Sequence, residues 1–337
     1  MASSWASEAR PAAAFGDRLA DAVRRRGSCL VVGYDPELSR LPPPVVEQLA
    51  RRLEGLDGQA ALQEAAGAVE RVGAALLEAC APHAVAVKFQ VAFFLTLGPW
   101  GLAALRRLVE RARGLDLLVI ADAKPGDIAS TGEAYARALI GVTALPGGGR
   151  AEVVGADACT FNPYLGPDAA APFLEWVDRA GRGLFVLVHT SNPGASALQG
   201  LPLRDGRTVA EAVADVVNSW ATARRGASGY APVGAVVGAT YPEALASLRR
   251  RMPGVWLLLP GVGAQGGRVE DLAPAFDAGG LGGLVSVSRG LLEAWRASGS
   301  DPARWERAAA DAAARLREAL DRVRSAPGRR GPGGTTA

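Results

Sequence analysis

Eight short, nearly unbroken apolar runs constrain this chain more than any other feature. They are SCLVVGYD (28–35), AVAVKF (84–89), DLLVIAD (116–122), VVGADACTF (153–161), GLFVLVHT (183–190), VGAVVGAT (233–240), VWLLLPGVG (255–263) and GGLVSVSRG (282–290). Each is rich in small and branched apolar residues and lacks the alternation of a strand with one wet face, so each reads as a strand buried on both sides. Stretches with helical spacing separate them, such as GLAALRRLVERAR and TVAEAVADVVNSWATARR, and Asp-Gly and Pro-Gly pairs punctuate the joints. Eight strands in a repeating βα pattern predict an α/β chain folded as a single-domain (β/α)8 TIM barrel over residues 15–325 rather than an open sheet. The long link after the first strand is expected to hold two helices, around 43–54 and 59–80. Residues 1–14 and the tail 326–337 are rich in residues that cannot build a core and are expected to be disordered.

In such a barrel, chemistry collects at the C-terminal ends of the strands. Read in order, those ends carry Asp35, Lys88, Asp122 with Lys124, Asn162, Ser191 with Asn192, Gln265 and Arg289. Asp122 and Lys124 lie two apart, so a continuing strand would point both to one side, with Lys88 in reach on the neighbouring strand. Alternating Lys and Asp charges hold one another ionised. The alternative for these residues alone is a structural ion pair at the rim. The Gly-rich ends PGVGAQGG and SRG follow the last two strands, where barrels often bind phosphate through backbone N–H groups. Arg289 adds a bidentate donor for phosphate oxygens. By themselves these glycines are equally compatible with plain turn chemistry.

Lysine usage sharpens the reading. Of the 37 Lys and Arg residues only two, Lys88 and Lys124, are lysine. Arginine serves at ordinary surface sites but cannot give up its proton at useful pH, whereas a lysine can. The two lysines are therefore candidates for positions where arginine fails; the alternative is that both persisted by chance on the surface. Net charge is +3 with the basic residues dispersed, which gives no nucleic-acid stripe. Cys29, Cys80 and Cys159 have neither metal-ligand nor redox spacing, and no zinc, HExxH or Walker pattern occurs. The N-terminus lacks a signal-peptide pattern and no run is long enough to span a membrane, so a cytoplasmic protein is expected. His83 precedes the second strand, at the wrong end for a barrel site, and His189 has no nucleophilic-triad partner; both read as structural.

The segment DAKPGDIAST (122–131) fits the D-x-K-x-x-D-I-x-x-T signature of orotidine 5′-phosphate decarboxylase. NPYLG (162–166), TSNPG (190–194) and the spacing to SRG resemble the longer bacterial branch, type 2, of that family, and the resemblance runs over about residues 15–325. D-x-K-x-x-D alone is shared with sugar-phosphate decarboxylases and hexulose-phosphate synthases; Ile128, Thr131 and Lys88 favour the orotidylate enzymes. The resemblance implies conversion of orotidine 5′-monophosphate to UMP in pyrimidine synthesis, without metal or organic cofactor. It implies Lys124 as proton donor to C6 of the pyrimidine, Asp122 against the departing carboxylate, and Lys88 and Asp127 completing a Lys-Asp-Lys-Asp array. It further implies a homodimer in which Asp127, Ile128 and Thr131 reach the partner's site. Asp35 resembles the ribose contact, Ser191 the reader of the pyrimidine amide edge, and Gln265 and Arg289 the phosphate clamp.

Three alternatives stay open on sequence alone. A metal-assisted sugar-phosphate decarboxylase or aldolase would want an acidic residue where Lys88 stands. A Schiff-base aldolase would want Lys124 desolvated rather than flanked by aspartates. A catalytically inactive nucleotide-binding protein would not need the charge array intact.

Overall fold

The computed structural model describes residues 13–263 and 266–325. Residues 1–12 and 326–337 of the ends expected to be disordered, and Gln265, lie outside the described residues. Eight parallel strands close a barrel in chain order: β1 (Leu30–Tyr34), β2 (Ala86–Gln90), β3 (Leu118–Asp122), β4 (Ala158–Phe161), β5 (Gly183–His189), β6 (Val233–Val237), β7 (Leu257–Pro260) and β8 (Gly283–Val287), with β8 pairing back onto β1. Each lies within one of the eight apolar runs or overlaps it. Helices cover the outside, among them Pro43–Leu53 and Gly58–Cys80 in the long first link, so the chain is a (β/α)8 TIM barrel.

Alternation along the strands divides the interior into an apolar floor and a polar top. Val31, Ala86, Ile120, Ala158, Phe185, Leu258 and Leu284 face inward and form one buried cluster. Two residues further along several strands, and so on the same face, come Gly33, Lys88, Asp122, Thr160 and Ser286. Gly33 passes close under Ser288: a Cβ there would sit 2.1 Å from the Ser288 hydroxyl oxygen and 3.1 Å from its Cα, so Ser288 would have to shift.

The N-terminal helix Phe15–Arg26 plugs the lower end. Phe15, Leu19, Ala20 and Val23 join the interior cluster, and Phe15 meets Phe185 edge to face at 5.9 Å. Asp17 accepts the backbone N–H groups of Ala227 (3.1 Å) and Ser228 (2.8 Å). Arg18 pairs with Asp157 at 2.8 Å, and the other Asp157 oxygen accepts the Val119 N–H at 2.9 Å. The helix therefore supplies both the apolar stopper and its polar rim.

Two features depart from the sequence pattern. The run 153–161 yields a strand only from Ala158, because Gly155 takes a left-handed conformation (φ 73°) and breaks the extension. Between β3 and β4 a small antiparallel pair, Thr143–Ala144 with Arg150–Ala151, turns through Gly147 and Gly148, both at positive φ. The three cysteines are free and buried, and burial pushes the Cys29 and Cys80 thiols up to about 12. No described helix is long and apolar enough to cross a membrane.

Candidate active site

A cavity of about 900 Å³ opens at the C-terminal face of the barrel. Asp122, the last residue of β3, is buried in its wall. One carboxylate oxygen, Oδ2, accepts from Lys88 Nζ at 2.7 Å and from Gln90 Nε2 at 3.2 Å. The other, Oδ1, accepts from the Lys124 ammonium and from Thr160 Oγ1, the latter at 2.9 Å. Asp35 stands at the end of β1 with Oδ1 3.7 Å from Lys88 Nζ, within ion-pair reach. The side chains of Lys88 and Asp122 are each 8% exposed and that of Lys124 is 40% exposed, so the array grades from buried to open.

This packing sets the charges. Burial alone would raise the Asp122 carboxyl, but the Lys88 and Lys124 ammonium groups outweigh it and hold the carboxyl well below the usual carboxylate range. Burial would likewise lower Lys88, yet Asp122 and Asp35 outweigh it and hold the ammonium above its ordinary value. The site thus carries fixed, opposed charges across the physiological range.

Lys124 reaches this place by a route that strand alternation does not describe. The strand ends at Asp122, and Lys124 sits in the left-handed region at φ 51°. Its N–H donates to the side-chain Oγ1 of Thr160 on β4 at 3.1 Å instead of to a ladder carbonyl. The turn, not a continued strand, brings its ammonium back over Asp122.

The rest of the predicted set divides in two. Asp35, Lys88, Asp122, Lys124, Ser191 and Arg289 all line the cavity. Arg289 is exposed at its rim, beside Gly261, Val262, Ser288 and Gly290. Asp127, Ile128 and Thr131 do not line it: Asp127 accepts the Ile128 N–H at 2.8 Å, and Ile128 and Thr131 face outward. Gln265 is outside the described residues, but the chain around it folds back, with the Gly267 N–H donating to the Gly261 carbonyl at 3.1 Å.

Sequence reasoning did not single out Gln90 or Thr160, although inward parity from Lys88 and Ala158 marks both. It also missed the brace across the loop after β5, where the Thr190 N–H donates to Gln199 Oε1 at 2.8 Å. His189 does not line the cavity; it packs edge-on against Tyr241 at 4.7 Å, and burial lowers its pKa, which keeps the ring neutral. That contact gives the loop after β6 a structural role.

A barrel rim with this charge array has close relatives. Residues 69–297 match the family described as orotidine 5′-phosphate decarboxylase / HUMPS. The chain belongs to this family. It is 40% identical over 310 residues to an orotidine 5′-phosphate decarboxylase of Rhodopirellula baltica, covering 91% of this chain and 98% of that protein. A counterpart in Caldicellulosiruptor saccharolyticus is 36% identical over 282 residues, covering 84% and 90% of the two chains. Among solved structures, an OMP decarboxylase of Leishmania donovani superposes with a TM-score of 0.68 at 31% identity, covering 93% of this chain and 99% of that one.

Proposed function

We infer that this chain is an orotidine 5′-phosphate decarboxylase that converts orotidine 5′-monophosphate to UMP in pyrimidine biosynthesis, with its chemistry at Lys124 and Asp122. The observation that carries the reading is the Asp122 carboxylate, buried and held ionised between two ammonium groups at the base of an open cavity. A substrate carboxylate set against Asp122 meets a negative charge that stays in place. As the C6–carboxyl bond breaks, CO2 leaves and the bonding pair remains on C6. Lys124 gives that carbon a proton and regains one from solvent, so the net change is one proton taken up and one CO2 released. Preorganised charge acts most strongly where charge develops in the transition state.

Lys88 in this reading keeps Asp122 ionised and oriented, Asp35 takes a ribose hydroxyl, and Ser191 reads the pyrimidine amide edge. Arg289 and Gln265 hold the phosphate, whose remote binding energy helps keep the substrate against Asp122. The chemistry asks for no metal or organic cofactor. An ammonium stands where a metal-assisted relative would want a carboxylate, which favours this reading over a sugar-phosphate enzyme.

The reading includes a cytoplasmic homodimer with shared active sites. It is supported by Asp127 and Ile128 on the loop that carries Lys124, and by Thr131 in the first turn of the helix that follows, which stand outside their own cavity, with the apolar Ile128 45% exposed.

The test mixes EDTA-treated protein with orotidine 5′-monophosphate and follows the loss of its ultraviolet absorbance. Rapid metal-free conversion to UMP is expected. UMP binding without turnover would instead mark an inactive nucleotide binder, and binding of neither nucleotide would point to a sugar phosphate.

A further inference from the structure

Of the two buried hydroxyls that line the cavity and have no part in the chemistry above, Thr160 and Ser286, the first joins two parts of the charge array. Thr160 stands two residues above Ala158 on β4, faces the barrel interior and is 1% exposed. Its Oγ1 joins two separate parts of the charge array, accepting the Lys124 N–H at 3.1 Å and donating to Asp122 Oδ1 at 2.9 Å. A hydroxyl has one proton to give. Here that proton goes to Asp122, which leaves a lone pair for the Lys124 amide.

Each of these partners needs the support. Lys124 lies at φ 51°, a region that L-residues with long side chains rarely occupy, and β3 ended two residues earlier. Without Thr160 the sheet offers its N–H no ladder partner. Asp122 Oδ1 is in turn the oxygen that also receives the Lys124 ammonium. One side chain therefore fixes both the backbone that carries the proton donor and the carboxylate that aims it.

We propose that Thr160 is a positioning residue for proton transfer, fixing the left-handed turn at Lys124 and the orientation of Asp122. This rests on the decarboxylase reading above. Thr160 holds Lys124 through its backbone, so the ammonium stays free to release its proton. The phosphate side of the cavity is built from Gly261, Val262 and Arg289 after β7 and β8, on other strands of the barrel. Losing the hydroxyl should therefore slow the chemical step and leave substrate affinity nearly unchanged.

The test compares Thr160→Val, Thr160→Ser and Thr160→Ala for kcat and KM on orotidine 5′-monophosphate, with circular dichroism to check the fold. Valine keeps the branched shape and removes only the hydroxyl. It should lower kcat about 10- to 100-fold, equivalent to about 1.4–2.7 kcal/mol at 1.36 kcal/mol per tenfold, with KM within about threefold of wild type. Serine restores the hydroxyl and should recover most of the rate, whereas alanine should not. A folded valine variant with wild-type kcat, or one altered only in KM, overturns the proposal. If valine prevents folding, the other two variants decide: serine fast and alanine slow supports it, and equal rates overturn it. A wild-type protein that fails to convert the substrate removes the decarboxylase reading and this inference together; an active wild type with an equally active valine variant removes this inference alone.

Discussion

Replacing Asp122 by asparagine keeps the shape of the site and deletes its central charge. In the wild-type protein Lys88 Nζ lies 2.7 Å from Asp122, an attraction of about 6 kcal/mol at an effective dielectric of ~20. Asp35, 3.7 Å away, contributes about 4 kcal/mol on the same scale and survives the substitution. Most of this attraction is cancelled by desolvation. Breaking a buried pair from one side costs about 3–5 kcal/mol, and with Asp35 still present the expected loss is near the lower end, about 3 kcal/mol.

The pH dependence separates this cause from a generic packing defect. In the wild type, the depressed Asp122 carboxyl contributes stability above its unfolded value of 3.8, lost only as pH falls through its much lower folded value. The raised Lys88 contributes stability below 10.5, lost as pH rises through its higher folded value. Between about pH 6 and 9.5 neither group changes its proton count on unfolding, so their joint contribution is flat. In Asp122→Asn the chief force raising Lys88 is gone and burial, the largest single influence on it, is opposed by Asp35 alone, so its pKa falls from the raised wild-type value. The native variant then sheds this proton at lower pH than the native wild type, so the stability gap between the two should narrow as pH rises toward 10. Urea unfolding followed by the fluorescence of the seven tryptophans measures this directly at pH 7, 8, 9 and 9.5. A variant that tracks the wild type across that range, or loses less than about 1 kcal/mol, refutes the account of Lys88 as a buried ammonium held by Asp122.

Other substitutions probe separate parts of the molecule. Lys124→Ala should lower kcat by at least about 10²–10⁴-fold, the usual worth of a positioned proton donor, while circular dichroism shows an intact fold, since this side chain is 40% exposed. Arg289→Ala should mainly raise KM, and an unchanged KM in steady-state kinetics would count against its phosphate role. Mixing inactive Lys124→Ala and Asp127→Ala chains through an unfolding and refolding step should restore about a quarter of wild-type activity if sites are shared across a two-fold dimer; no recovery from mixtures shown by mass to contain hybrids argues against sharing. Phe15→Ala should cost about 3–5 kcal/mol in chemical denaturation, with KM unaffected, because Phe15 packs under the barrel floor.

The barrel was legible because strands buried on both faces write themselves as continuous apolar runs, and eight of them alternating with helical segments match a (β/α)8 count. What escaped was local or conditional. The pair at 143–151 is a small exposed ribbon turned by glycines, with no core to imprint a pattern on it. The plugging helix has an apolar stripe at Phe15, Leu19 and Val23, but nothing in the sequence says that the open end of a barrel is its partner. At the site, the strand ends identified the charged residues while parity misjudged the path to Lys124. Asp122 and Lys124 do converge, through a left-handed turn held by a residue 36 positions away. Contacts of that kind, between residues distant in sequence, have no signature in either segment alone.

The same contacts explain why the two lysines stand where they do. Lys88 occupies an inward slot between Asp35 and Asp122, where a compact ammonium fits and a planar guanidinium would demand a wider, flatter set of acceptors. In the proposed reaction Lys124 releases a proton, which arginine cannot do. Between them Asp122 receives four donors: Lys88, Gln90, Lys124 and Thr160. An ionised carboxylate offers about four lone-pair sites, so this one is saturated. It has neither room nor tendency to take up a proton when a substrate carboxylate is pressed against it. In the proposed reaction, repulsion between the two carboxylates then cannot be relieved by protonating Asp122, so the bound substrate would lose its charge as CO2 and accept the proton that Lys124 holds beside it.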